Sequence, residues 1–347
     1  VIHNCARLLA FAALTSGILG SMCLAQSRAA AEAGSVPQVY SRLESRKPPS
    51  EEELRTGFQR MVDKSQVTDE RLYQAYRTIT VNGGDLGTGP RVIVNGSPQR
   101  IWDVGSFHNG LEKPYTPEES RFFWTEYTRC FRRCLPALVD LKPLSHLHTH
   151  LIVPLTEEEI GMLTTIVSEP YVMNLSFVGP GFNDSTAAIL TKPARLRSLR
   201  LIDTSITDET LPLIAALDTL QSVNLSCNSL SGPSILRNLK HLSLTSLDLS
   251  HTFIEDDSLH VCQEMKQLES LDLAGTTIST KAISHLSHLE KLRWLDVSDT
   301  CIDDSSVDLL IRHRKLQTLV VDKRALSESA RATLHRRLPK CHVSEKE

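Results

Sequence analysis

The sequence predicts an α/β fold: a curved solenoid with parallel strands on the concave side and helices on the convex side. A small mixed helix and hairpin region is expected ahead of it. Three observations carry this expectation. The first is a repeat that never loses phase. Val172, Leu196, Leu220, Leu244, Leu268, Leu292 and Leu316 lie 24 residues apart. Three residues on come Leu175, Leu199, Val223, Leu247, Leu271, Leu295 and Leu319. Five on come Phe177, Leu201, Leu225, Leu249, Leu273, Val297 and Val321, and ten on Phe182, Ile206, Leu230, Ile254, Ile278, Ile302 and Leu326. Four apolar columns in phase over seven copies mean one small unit stacked on itself. The second is composition. The chain has 9 Phe, 3 Trp and 6 Tyr, and only Phe253 and Trp294 lie beyond residue 195, whereas 30 of its 50 leucines fall between Leu196 and Leu338. A leucine-dense, ring-poor half suits layered aliphatic packing. The third is the wording inside each copy. The apolar-x-apolar core alternates as a strand with one buried face does.

The rest of each copy reads as a turn and a helical return. The ninth position holds Pro180, Thr204, Asn228, Thr252, Thr276, Thr300 and Arg324. An Asn or Thr side chain there can satisfy backbone groups of the turn. The twelfth position holds Asn183, Thr207, Ser231, Glu255, Ser279, Asp303 and Ser327, mostly good helix caps. Asp184, Asp208, Asp256, Asp304 and Glu328 follow, where acids favour a helix N-terminus. A degenerate earlier copy is expected from near His148, keeping Leu151 and Val153. The segment Leu334–Cys341 is expected to close the last coil as a polar cap.

Four regions follow along the chain. Residues 1–25 read as a signal peptide: Arg7, then an apolar run, then small residues ending at Ala25. Export to the periplasm, cell surface or exterior is expected, with no membrane span once the signal is removed. Residues 26–49, rich in Ala, Ser, Pro and Gly, read as a flexible linker. Residues 50–145 form an aromatic-rich region, and residues 146–347 the repeats with their cap. In the aromatic-rich region, Ser50-Glu51-Glu52-Glu53 has the form of a capping box, and a second helix is expected over Glu70–Thr78. Arg91–Val94 and Gln99–Trp102 flank Asn95-Gly96-Ser97-Pro98, the pattern of a hairpin. The glycine-rich run Gly83–Gly89 lacks the Lys-Ser/Thr ending of a phosphate loop and reads as a turn. Thr116-Pro117-Glu118-Glu119 opens a helix carrying Phe122, Phe123, Trp124, Tyr127 and Phe131 and ending near Pro136. These rings are expected to pack a core rather than line a groove.

The repeat wording L-x-x-L-x-L-x-x-T/N-x-I/L resembles the leucine-rich repeat family, in the manner of exported bacterial members with 24-residue repeats. The resemblance implies a strand, turn and return in each unit, and a protein-binding role on the concave face.

Function is read from what that face would carry. With 38 Lys and Arg against 41 Asp and Glu, the net charge of −3 excludes a generally basic nucleic-acid binder. The outward column reads Ser176, Arg200, Asn224, Asp248, Asp272, Asp296 and Val320. Strands about 4.8 Å apart would set three aspartates side by side, an unfavourable arrangement that a basic partner would relieve. Leu-Asp-Leu as ordinary strand wording is the plainer alternative. Trp294 would share the face beside Asp296 and could anchor a protein partner. Partner-binding candidates are therefore Trp294, Asp248, Asp272, Asp296, Arg200 and Asn224. His146, His148 and His150 alternate on one strand face downstream of Cys130 and Cys134, the raw material of a mixed Cys/His metal site. The cysteines are spaced Cys-x-x-x-Cys, not Cys-x-x-Cys, so no metal and no cofactor is expected. Cys262 sits in an apolar helix column and should be core. No catalytic spacing is present, and the leading expectation is a non-enzymatic interaction module. The alternatives are an enzymatic or metal-binding N-terminal region targeted by the repeats, and an intracellular adaptor or effector of ubiquitin-ligase-adaptor type.

Overall fold

A computed structural model describes residues 49–62, 68–81, 84–94, 97–107, 117–141 and 143–346. The expected signal peptide, and all but the last residue of the expected linker, lie outside these. Two compact units divide the described chain at Leu220 and Gln221.

The unit ending at Leu220 begins with helices α1, Glu51–Met61, and α2, Glu70–Val81. Ser50 closes α1 as a capping box: its hydroxyl accepts from the Glu53 N–H at 3.3 Å, and Glu53 Oε2 accepts from the Ser50 N–H at 2.7 Å. The two helices meet through rings. Phe58 lies 5.4 Å from Tyr73 and 5.5 Å from Tyr76, between centroids, and all three are buried. Here the aromatics are core, and of the rings expected to pack a core Phe131 is buried. The side chains of Phe122, Phe123, Trp124 and Tyr127 lie outside the described ones.

Strands β1, Gly84–Val94, and β2, Ser97–Phe107, pair antiparallel with Val94 opposite Ser97. The glycine-rich run is thus strand rather than turn. Its backbone groups find partners on β2, and register shifts at Gly84/Leu86 and Thr88/Arg91 absorb the glycines and Pro90. Helix α3, Pro117–Asp140, runs through Pro136 instead of stopping there. Proline costs one backbone bond, yet Leu135, Ala137 and Leu138 keep a buried face across it.

Strand β3, Leu144–His150, lies parallel to β2 on one side and to β4, Asn174–Val178, on the other. Leu147 pairs with Leu175, so the degenerate first copy is centred on Leu147, four residues before the expected Leu151. Its longer return explains the offset. Helix α4, Glu157–Val167, spans 11 residues and opens with its own Thr156/Glu159 capping box. Val153, expected in the core, is 44% exposed. The next copies bring α5, Asp184–Ala187, strand β5, Ser198–Ile202, and α6, Leu211–Ala215.

The unit from Gln221 holds β6, Ser222–Asn224; β7, Ser246–Asp248; β8, Ser270–Asp272; β9, Trp294–Asp296; and β10, Thr318–Asp322. All are parallel and in register: Val223, Leu247, Leu271, Leu295 and Leu319 stand in one buried row. The returns are helical but short: α7, Gly232–Leu239; α8, Thr280–His285; α9, Val307–Leu310. One return, Asp256–Glu264, is a 3₁₀-helix throughout. A 3₁₀ turn climbs about 2.0 Å per residue against about 1.5 Å for an α-helix, which suits a short return path. After α10, Glu328–Arg337, the chain adds β11, His342–Lys346, parallel to β10. The cap therefore ends in a strand, which the polar reading of the C-terminus did not anticipate.

Candidate partner-binding surface

The site is built by register. A strand residue and its partner in the next coil lie on the same face, so Asn224, Asp248, Asp272, Asp296 and Val320 form one row. Ser222, Ser246, Ser270, Trp294 and Thr318 form a second row beside it. The expected acidic ladder exists.

Each of the four polar members of the row also has a local duty. Its Oδ1 accepts the N–H two residues on: Asn224 from Ser226 at 2.9 Å, Asp248 from Ser250 at 3.0 Å, Asp272 from Ala274 at 3.0 Å and Asp296 from Ser298 at 2.9 Å. This side chain ends the strand and starts the turn. The plainer reading of Leu-Asp-Leu thus has a physical basis.

The second oxygens differ, and there the row becomes individual. Asp248 Oδ2 accepts from Asn224 Nδ2 at 2.5 Å. Asp296 Oδ2 accepts from Lys346 Nζ at 2.9 Å, and the carboxylate is only 4% exposed. Burial works against the Lys346 charge, but the bond to Asp296 together with the Asp296, Asp272 and Asp299 charges outweighs it and raises the lysine pKa. Asp272 has neither an ion-pair partner nor a hydroxyl donor among the described residues. Ser250 and Ser298 each lend a hydroxyl to their aspartate, at 2.7 and 2.5 Å, whereas the equivalent residue after Asp272 is Ala274. Burial first, then the flanking Asp248 and Asp296 charges, push the Asp272 carboxyl up to about 6.

Trp294 shares the open face but is half-buried, not exposed as expected. Phe253, the other ring beyond residue 195, is 47% exposed in its turn. In the preceding unit, Arg200 is exposed and follows His148 and Ser176 in one row.

The histidines do share a face of β3, but their contacts are structural. His146 Nε2 accepts from Asn174 Nδ2 at 2.5 Å, and His148 Nδ1 meets the Ser176 hydroxyl at 2.7 Å. Burial holds His148 below its ordinary pKa and takes His150 to about 4. Cys130 and Cys134 are buried in α3, where burial pushes the Cys134 thiol up to about 12. A thiol held protonated is a poor metal ligand. Among the described residues no group of three or more His, Cys, Asp or Glu could hold a metal ion. Cys262 is fully buried core, as its column required.

Sequence reasoning missed two features. One is Lys346, whose reach to Asp296 depends on β11 pairing with β10. The other was legible: Gly179, Asp203, Cys227, His251, Gly275 and Asp299 recur every 24 residues and all have positive φ, between 52° and 104°. Gly and Asp in such a column are the usual sign of a left-handed turn.

The leucine-rich repeat family profile matches residues 242–302. Comparison with curated proteins gave no match. Among solved structures, an internalin of Listeria monocytogenes is 17% identical over 61% of this chain and 70% of its own, with a TM-score of 0.43. Internalin C2 of the same organism is 17% identical over 61% and 84%, with a TM-score of 0.43. A leucine-rich repeat protein of Leptospira interrogans is 18% identical over 60% and 62%, with a TM-score of 0.41. The family match covers residues 242–302, and the 24-residue columns keep their strands in register on either side of it, from β6 to β10.

Proposed function

We propose that the protein is an exported, non-enzymatic interaction module that binds a basic segment of a protein partner on the open sheet face of the unit from Gln221. The observation that carries this reading is Asp272. It is a half-buried carboxylate between two others, with one hydrogen bond and no ion pair among the described residues. Such a group costs the fold stability when charged, and a partner's ammonium or guanidinium would offset that cost. Asp248 would widen the acidic patch, and Trp294, diagonal to Asp272, offers a ring face to a cation. Asn224 would frame the contact along the row. An acidic row repels phosphates, which argues against nucleic acid as the ligand. Export rests on the reading of residues 1–25. Among the described residues no helix is long and apolar enough to cross a membrane.

The test is titration with a lysine- and arginine-rich peptide, read by Trp294 fluorescence and by calorimetry. Asp272→Asn and Trp294→Ala should each weaken binding about tenfold, roughly 1.4 kcal/mol, while the fold survives. Unchanged affinity in both variants would overturn the assignment of this face.

A further inference from the structure

We propose that Lys346 is a built-in competitor for the acidic row, so that the C-terminal strand sets how tightly the row takes an external cation. The inference rests on the reading of that row as the binding face.

The geometry is specific. Lys346 pairs with Asp322, on β10, yet its ammonium bonds Asp296 on β9. It passes the β10 position of the acidic row, which holds Val320 instead of a fourth aspartate. A valine offers no nearer carboxylate, and the four-carbon stem of lysine can span the gap. The contact joins residues 50 apart in sequence. It closes the end of the row that would otherwise carry a carboxylate almost out of solvent, with Oδ2 unpaired.

The same contact is built to exchange. The Lys346 side chain is 49% exposed, whereas that of Asp296 is 5% exposed. One ammonium can leave into water while another arrives, and the buried carboxylate stays neutralised throughout. Swapping one cation for another costs little Coulomb energy, so the balance falls to local concentration and chain entropy. A tethered lysine has a high local concentration beside Asp296, and its cross-strand partner Asp322 also feels its charge. It therefore lowers the apparent affinity of the row for an external basic side chain. Lys346 also offsets the field felt by Asp272, its neighbour in the row.

The experiment compares the full chain with Lys346→Met, which keeps the stem and removes the charge, and with Lys346→Arg. The probe is the same lysine- and arginine-rich peptide. Lys346→Met should bind at least threefold more tightly, and Lys346→Arg should match the parent within twofold. In an Asp296→Asn background most of the Lys346→Met effect should vanish, because the carboxylate competed for is gone and only the field at Asp272 remains. Should Lys346→Met fail to fold, its pairing with Asp296→Asn restores charge balance. That double variant should then bind within twofold of Asp296→Asn alone, and a larger difference between them would overturn the competitor. Equal or weaker binding by folded Lys346→Met overturns the competitor while leaving the binding face intact. A peptide that binds none of the proteins overturns the binding face itself, and the competitor with it.

Discussion

At the residue scale, two titratable groups pull stability in opposite directions with pH. His313 stands 24 residues after Leu289 and 48 after Met265, in a column of buried apolar side chains, and is itself 5% exposed. Its Nε2 has no hydrogen-bond partner among the described residues. Burial holds its pKa below the usual value, against a ring hydrogen bond with the Leu289 backbone. The folded state thus binds fewer protons than the unfolded one once pH falls below about 6.5, and stability is lost in that direction. Asp272 is the reverse case. Its raised folded pKa means the folded state holds more protons between about 4 and 6. That contribution grows as pH falls through 6 and is absent at neutral pH. Two outcomes are expected. His313→Leu should lose less stability than the parent between pH 7.5 and 5.5, measured by urea unfolding. Asp272→Asn should be more stable than the parent at pH 7, on the order of 1 kcal/mol once screening of a half-exposed carboxylate is allowed for, with the gain gone below about pH 4. A variant that gains stability while losing peptide affinity is the signature of a group kept for binding.

Glycines sharpen the same scale. Gly275 has φ +66°, and a Cβ there would lie 2.1 Å from His251 Nδ1. Gly275→Ala should destabilise by about 1–2 kcal/mol. Gly161, inside α4, would meet nothing within 4 Å, so Gly161→Ala should stabilise by about 0.5–1 kcal/mol. Thermal melts of the pair check both signs against each other.

At the element scale, the acids that follow each cap act between coils. Asp184 accepts from the Thr207 N–H and hydroxyl, both at 2.9 Å, and from the Thr210 hydroxyl at 2.5 Å. Asp256 accepts from the Ser279 N–H at 2.7 Å and its hydroxyl at 2.6 Å, and Asp304 from the Ser327 N–H at 2.7 Å. Each carboxylate holds the cap residue of the next coil. The caps themselves work as expected at Asn183, Thr207, Ser279, Asp303 and Ser327, but Ser231 and Glu255 make no side-chain cap bond. Asp256→Ala should cost about 1.5–3 kcal/mol, the worth of hydrogen bonds to a charged acceptor. Hydrogen exchange should show the loss at the Ser279 amide, on the adjacent return, and not only within residue 256's own coil.

At the scale of the repeat unit, one row of leucines binds the stack. Leu271 is fully buried between Leu247 and Leu295. Leu271→Asp should cost about 3–5 kcal/mol, enough to unfold the neighbouring coils, because the charge has no partner in that row. Circular dichroism and melting behaviour like the parent's would contradict the register. Stability in such a stack is close to a sum over coils and their interfaces, so damage in one coil spreads through its contacts.

The sequence by itself determined the repeat and its phase. A 24-residue period is a local property, repeated often enough that Leu, Thr and Asn positions announce strand, turn and cap without any long-range information. Thr252, Thr276 and Thr300 do donate their hydroxyls to the carbonyls of Leu249, Leu273 and Val297, as the ninth position promised. The acidic row was legible for the same reason, since register follows from period. Where the period lapses, legibility lapsed with it. The strand over Gly84–Gly89 and the passage of α3 through Pro136 run against local preference and are held by pairing on β2 and by a buried face. Strand β11 and the place of Lys346 depend on a neighbour that only folding supplies. The difference between Asp272 and its flanking aspartates was likewise decided by tertiary structure. One aspartate is neutralised by a lysine 50 residues away, one is bonded by the asparagine of the preceding coil, and the middle one has only the Ala274 backbone N–H among the described residues. Periodicity sets which side chains stand together, but the charge each one feels depends on every group that folding brings near it.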